Sequence, residues 1–305
     1  MAFTAKDVAE LRRQTGCGMM DCKNALVAAD GNFDEAIKVL REKGMAATAK
    51  KASRIAAEGI VDILTEGNVT AMVEVNSETD FVAKNESFRA FVRDILKAII
   101  ANRPADVDEL MTKKINDAQT VKEALEEKTF TIGEKLSIRR FLIVDGVVST
   151  YIHGMGATGV IIKFEADDAA VANPGFAEFA KNIALQAAAM PCLYVNKESV
   201  PASAIEEERE ILTKQMEQDP KFAGKPQKVL DGIIMGKLGK FYETNCLTEQ
   251  AYVKDDSMTV GKYVNACAKE FGGAIKLEAF YRYDKGEGIQ KREENFAEEI
   301  AKLVK

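Results

Sequence analysis

Several groups of residues in this 305-residue chain have types and spacings that could carry chemistry. Gly154-Met-Gly156-Ala-Thr-Gly159 fits G-x-G-x-x-G, the pattern in which amides at a helix N-terminus hold a pyrophosphate. That mechanism needs a helix directly after the glycines. Val160-Ile-Ile-Lys-Phe164 follows instead, an apolar strand pattern, so a hairpin turn is expected. His153, the only histidine, stands just before the turn. No motif places a Ser, Cys or Asp partner beside it, so it reads as a contact residue rather than a general base. Cys17 and Cys22 are the closest cysteines, with no second ligand pair nearby, and small buried thiols are expected rather than a metal site. A P-loop and an H-E-x-x-H arrangement are both missing from the sequence. No catalytic residue and no cofactor is expected.

The most informative segment is Glu74-Val-Asn-Ser-Glu-Thr-Asp-Phe-Val-Ala-Lys-Asn85. An alternating strand ends here in a polar loop with an aromatic, Phe81, at its centre. Either Phe81 packs beneath the following helix, which composition alone favours, or the loop presents an acidic-aromatic pair outward. Aromatic anchors with polar rims are how protein interfaces concentrate binding energy.

These residues need a scaffold, and composition bounds it. The chain is long enough for two or three domains, and 47% hydrophobic with 30% charged residues is ordinary for a soluble globular protein. A net charge of −6 without long basic runs argues against nucleic acid as the main partner. Lys50-Lys51 and Arg139-Arg140 read as solvated faces. Five cysteines, few and odd in number, fit a reduced compartment. There is no basic n-region with an apolar stretch and no run of about 18 apolar residues, so a cytoplasmic protein without a membrane partner is expected.

The elements follow from periodicity. Thr4 is expected to cap a helix through Val8 and Leu11, broken at Thr15-Gly-Cys-Gly18. A second helix has an apolar pattern of Met20, Leu26 and Ala29, and a third runs from Asn32 and closes at Gly44. Gly59–Leu64 and Val69–Val75 form a hairpin, followed by a helix with Phe88, Phe91, Ile95 and Ile99 on one face. Ser137–Val144 and Val147–Ile152 read as a strand pair turning at Asp145-Gly146. The pattern F-x-x-F-x-x-x-I recurs at Phe176, Phe179 and Ile183 after the Val160–Phe164 strand, which implies two related α+β lobes. Between about 200 and 245 two helices form an antiparallel hairpin, with Ser203 and Glu206 as a capping box. Its apolar seam is wide enough for a docking or dimer surface. A helix at Val260–Phe271, a strand at Ala274–Tyr283 and a terminal helix at Glu293–Val304 complete the chain.

Five stretches, in order, resemble signatures of the bacterial elongation factor Ts family. They are Leu11–Leu26 (LRRQTGCGMMDCKNAL), Glu74–Asn85, Ile132–Arg140 (IGEKLSIRR), Tyr151–Gly154 (YIHG) and Tyr281–Lys291 (YRYDKGEGIQK). Gly16-Cys17-Gly18 stands where the family usually has Gly-Ala-Gly, and the residues after Gly154 are less typical. The resemblance implies an α+β fold with a ubiquitin-associated-like three-helix domain over 1–54 and a first core lobe over 55–145. A second lobe would span 146–290 with a dimerisation hairpin at about 200–245, and a C-terminal module would span 291–305. It implies a non-catalytic guanine-nucleotide exchange factor for elongation factor Tu. Thr79, Asp80, Phe81 and Val82 would insert against the nucleotide domain and disturb its Mg²⁺ and phosphate site. Arg12, Met19, Met20, His153 and Gly154 would be supporting contacts, and the helix after Glu293 a further docking element. A homodimer or two-plus-two complex through the hairpin is compatible with it. An adaptor without exchange activity and a nucleotide-dependent enzyme using the 154–159 glycines are the competing readings.

Overall fold

The computed structural model describes residues 3–222 and 224–290, and mixes helices and strands in an α+β composition. The described residues fall into two compact units, one of 3–143 with 152–159 and 283–290, the other of 144–151 with 160–282. The terminal helix expected from Glu293 and the 291–305 module lie outside the described residues. Among the described residues, no helix is long and apolar enough to cross a membrane.

The first unit opens with three helices: α1 (Ala5–Thr15), α2 (Met19–Ala28) and α3 (Phe33–Lys51). Thr4 caps α1 in a reciprocal box with Asp7, and Asn32 caps α3 through the Glu35 amide. Val8, Leu11, Cys17, Cys22, Ala25, Leu26, Ala36 and Leu40 close a small core. Two expectations change here. Met20 is 62% exposed, and Cys22, Ala25 and Leu26 form the inward stripe of α2. The third helix does not close at Gly44 but continues to Lys51. Gly44 is buried within the helix, with Glu126 and Phe130 of a later helix packed beside it, and it does not end the helix.

The first core lobe follows: β1 (Glu58–Glu66), β2 (Val69–Ser77), α4 (Asp80–Lys84), α5 (Glu86–Asn102), α6 (Val107–Thr112), α7 (Val121–Ile132) and β3 (Ser137–Asp145). β1 and β2 pair antiparallel from Glu58↔Ser77 to Glu66↔Val69, and β3 lies on the other side of β2. α5 covers this sheet with Phe88, Phe91, Val92, Ile95, Leu96 and Ile99, all buried; each such side chain stabilises by roughly 1.5–3 kcal/mol.

The second unit contains β4 (Val147–His153), β5 (Thr158–Ala166), α8 (Asp168–Val171), α9 (Phe176–Ala189), α10 (Ala202–Gln218), α11 (Gln227–Asn245), β6 (Ala251–Tyr252), β7 (Asp255–Thr259), α12 (Val260–Phe271) and β8 (Ile275–Asp284). The tip of the β4–β5 hairpin and the last residue pair of β8 belong to the first unit. Sheet order is β4-β5-β8, so Ser137–Val144 and Val147–Ile152 are strands but not a pair: β3 pairs with β2 and β4 with β5. Phe164, Phe176 and Phe179 meet at centroid distances of 5.7–5.8 Å in the core beneath α9 and α12. α10 and α11 share a separate small core of Leu212, Met216, Ile234 and Leu238. The Ser203–Glu206 capping box does not form. The helix starts two residues earlier, because the Pro201 carbonyl already accepts from the Ala204 and Ile205 amides.

Candidate functional site

Strand β2 is the launching element. It ends at Ser77, and the chain turns through Glu78 and Thr79 into the single-turn helix α4. Val82 and Ala83 point into the lobe core, which leaves Phe81 outward at 79% exposure, the highest of any large hydrophobic residue among those described. Of the two alternatives for Phe81, outward presentation is the one observed. The loop is braced from behind. Glu134, just after α7, accepts from the Thr79 amide at 2.9 Å and from its hydroxyl at 2.6 Å. Glu78 in turn accepts from the Lys135 amide at 2.5 Å and pairs with Arg54 at 3.2 Å. Asp80 pairs with Lys84 at 2.6 Å, and this hydrogen bond holds its carboxyl below the usual range. Both partners are exposed, so solvent screens that i,i+4 pair and it contributes little. Transfer of Phe81 into an apolar pocket would be worth roughly 1.5–3 kcal/mol. The aromatic therefore dominates what this loop can offer a partner.

The 154–159 glycines form the β4–β5 hairpin turn expected of them, with no helix behind them. The Gly156 and Ala157 amides both donate to the His153 carbonyl. Gly156, at φ +103°, lies against β1, where an added β-carbon would meet Ile60 at 2.8 Å and the Val61 carbonyl at 3.0 Å. The Val61 amide donates to the Gly156 carbonyl at 2.8 Å, and the Lys285 amide to the Ala157 carbonyl at 2.8 Å. Arg89, one turn into α5, donates to the Met155 carbonyl at 2.9 Å. His153 and Gly154 are thus exposed on a turn that is bonded to the same lobe that carries Phe81. Met155 is 69% exposed at φ +56°, a left-handed backbone costing a non-glycine residue about 1–2 kcal/mol.

A third feature was not foreseen as such. Glu74 is fully buried in the middle of β2 and is held from four directions. Arg140 Nε donates to it at 2.7 Å, Arg139 at 3.1 Å, Asn76 at 3.1 Å and the Gly286 amide at 2.8 Å. Burial pushes the Glu74 carboxyl up, but the Gly286 amide, Asn76 and the two guanidiniums outweigh it and leave it below the ordinary value. Arg139-Arg140 is therefore not a solvated face but a clamp on a buried carboxylate. Arg140 also pairs with Glu287 at 2.8 Å and stacks 4.0 Å from the Tyr283 ring centroid. The sequence signal was a lone carboxylate inside Ala71-Met-Val-Glu-Val75; such a residue needs buried cationic partners.

Arg12, Met19 and Met20 lie at the exposed α1–α2 corner, with Met19 at 43% and Met20 at 62% exposure. Their helices make no substantial contact with α4, so they do not join the Phe81 loop within this chain. Cys17 and Cys22 are buried free thiols; burial raises the Cys17 thiol above its ordinary range. Glu134, Glu74 and Arg89 are the residues missed at the sequence level. Each acts by holding backbone or charge in place, which no motif spacing encodes.

The site thus combines a projecting aromatic on a braced loop with a hydrogen-bonded turn in the same unit. Residues 78–287 match the family described as Elongation factor TS. The chain is similar to Elongation factor Ts of Clostridium botulinum (strain Eklund 17B / Type B), 44% identical over 307 residues covering 99% of both chains. It is also similar to Elongation factor Ts of Syntrophotalea carbinolica, 44% identical over 313 residues covering both chains fully, and to that of Clostridium kluyveri, 43% identical over 309 residues. The chain belongs to the elongation factor Ts family.

Proposed function

We propose that this protein is a non-catalytic guanine-nucleotide exchange factor that binds elongation factor Tu carrying GDP and speeds GDP release during translation in the cytoplasm. The observation that carries the reading is Phe81, 79% exposed on a loop that Glu134 braces at Thr79. The segment of Thr79, Asp80, Phe81 and Val82 meets the nucleotide domain of the GTPase, with Phe81 as the wedge and Val82, packed into the lobe core, seating it. Its insertion disturbs the partner's Mg²⁺ and phosphate site. His153 and Gly154 on the braced turn, and Arg12, Met19 and Met20 on the α1–α2 corner, add contacts to the same partner. No covalent step is needed. A factor that prefers the nucleotide-free GTPase must weaken GDP binding, and GDP must weaken the factor's binding by the same ratio.

The domain organisation belongs to the same reading. Residues 1–54 form a ubiquitin-associated-like domain, 55–145 and 146–290 are two related core lobes, and the hairpin at about 200–245 is a docking or dimerisation element. The test is release of a fluorescent GDP analogue from purified elongation factor Tu, with and without this protein. Strong acceleration is expected. Binding without acceleration would replace the reading by an adaptor, and saturable binding of a dinucleotide to the protein alone would replace it by an enzyme.

A further inference from the structure

An exposed methionine by itself carries no message, since single apolar residues are common on protein surfaces. Met155 has three further properties. It occupies a left-handed backbone position, φ +56°, between two glycines, where a third glycine would be the unstrained choice. Among the described residues only Asp30 and Arg103 share positive φ without being glycine. Asp30 belongs to a residue type that tolerates this region, and Arg103 is the left-handed cap of α5. Met155 has neither explanation. Its side chain makes up for no lost packing, being 69% exposed.

The backbone at that side chain and directly after it is tied down. Bonds run from Arg89 to the Met155 carbonyl, from Val61 to Gly156 and from Lys285 to Ala157. Arg89 lies on α5, the helix that begins two residues after α4 ends. Lys285, whose amide holds Ala157, pairs through its side chain with Glu58 on β1, the strand against which α4 packs. The Phe81 loop and the Met155 tip are therefore anchored to one set of elements within one unit. A flexible, polarisable thioether on a rigid tip suits an irregular apolar surface.

We propose that Met155 is a second apolar anchor, which grips the same GTPase that Phe81 enters; this rests on the exchange-factor reading above. The strained seat is retained because a glycine there would remove the side chain that binds. The full-length protein is titrated against purified elongation factor Tu, with fluorescent-GDP release giving the half-saturating concentration and thermal melting giving Tm. Met155→Ala, which keeps a β-carbon, should raise the half-saturating concentration roughly fivefold, while Met155→Leu stays near wild type. Met155→Gly should weaken binding by a similar factor while its Tm is unchanged or higher, because relief of strain stabilises the fold. Wild-type behaviour of Met155→Ala alongside a crippled Phe81→Ala overturns this inference alone. It is overturned equally if only the glycine variant weakens, since backbone freedom would then be the cause. If neither Met155→Ala nor Phe81→Ala has an effect, the exchange-factor reading falls and takes this inference with it.

Discussion

Two stretches of the chain carry the same local sequence grammar 88 positions apart, and they differ at the position of Phe81. Phe88, Phe91 and Ile95 on α5 correspond to Phe176, Phe179 and Ile183 on α9, all buried in their own lobes. The entry turns agree too. Asn85 accepts from the Ser87 amide at 2.8 Å, and Asn173 accepts from the Gly175 amide at 2.9 Å. The one-turn helix before each is Asp80-Phe81-Val82-Ala83 in the first lobe and Asp168-Ala169-Ala170-Val171 in the second. Val82 and Ala170 are buried in both, while the outward position is Phe81 in one and Ala169 in the other. On the strand before, buried Glu74 corresponds to buried Ile162. A shared scaffold thus carries an aromatic display and a clamped carboxylate in one lobe, and alanine and isoleucine in the other. Fold stability explains the residues the lobes share; it does not explain Phe81.

Perturbing matched positions sharpens this contrast. The largest effect is expected at the strand. Glu74→Ala leaves Arg139 and Arg140 without their buried partner and should destabilise the protein by about 3 kcal/mol, the lower end for such pairs because both guanidiniums are 29% exposed. Ile162→Ala should cost a comparable 2–5 kcal/mol by leaving a cavity. The two differ in pH dependence. The Glu74 carboxyl is depressed in the folded state, so its contribution is present above the ordinary value of 4.5 and is lost as pH falls below it. Urea midpoints taken near neutral pH and again well below 4.5 should therefore draw closer for wild type and Glu74→Ala, and stay parallel for Ile162→Ala.

Next in size, Phe81→Ala should slow catalysed GDP release by roughly 30-fold, the scale of an interface hot spot, with little change in Tm. The matched Ala169→Phe should leave release within about twofold of wild type. Glu134→Ala removes both of its bonds to Thr79 and should slow release by a smaller factor, roughly three- to tenfold, because the Phe81 side chain remains while its loop is held less firmly. Smallest is the pair of turn asparagines. Asn85→Ala removes the N-cap of α5 and should cost about 1 kcal/mol in urea unfolding, and it should also alter GDP release. Asn173→Ala removes only the turn bond to the Gly175 amide, should cost less, and should leave release unchanged. Equal effects of both variants on release would break the assignment of function to the first lobe.

Much of this was legible in the sequence, for physical reasons that differ by element. α5, α9 and the β1–β2 hairpin follow from apolar periodicity, and the 154–159 turn follows from the strand pattern behind its glycines. The Met20 stripe and the Gly44 stop were misread for a common reason. An exposed methionine and a buried glycine both depend on which neighbour packs against the helix, and local period does not contain that neighbour. The β3–β4 pairing was misread because adjacency in sequence is only a prior for adjacency in a sheet, and β3 instead completes the sheet beside β2. Phe81 was visible as an aromatic in a polar loop, but its outward direction depends on Val82 and Ala83 filling the core below. The brace at Glu134 reaches Thr79 across 55 residues, and the clamp on Glu74 draws on residues 139, 140 and 286; no spacing rule connects them.

The mechanism stands or falls on differential affinity. The affinity of this protein for elongation factor Tu should be measured twice, once with the GTPase free of nucleotide and once saturated with GDP, for wild type and for Phe81→Ala. A wedge that competes with GDP predicts that wild type prefers the nucleotide-free form by a large ratio and that the ratio collapses toward one in Phe81→Ala. An undiminished ratio in the variant would contradict it and place the exchange function elsewhere in the chain.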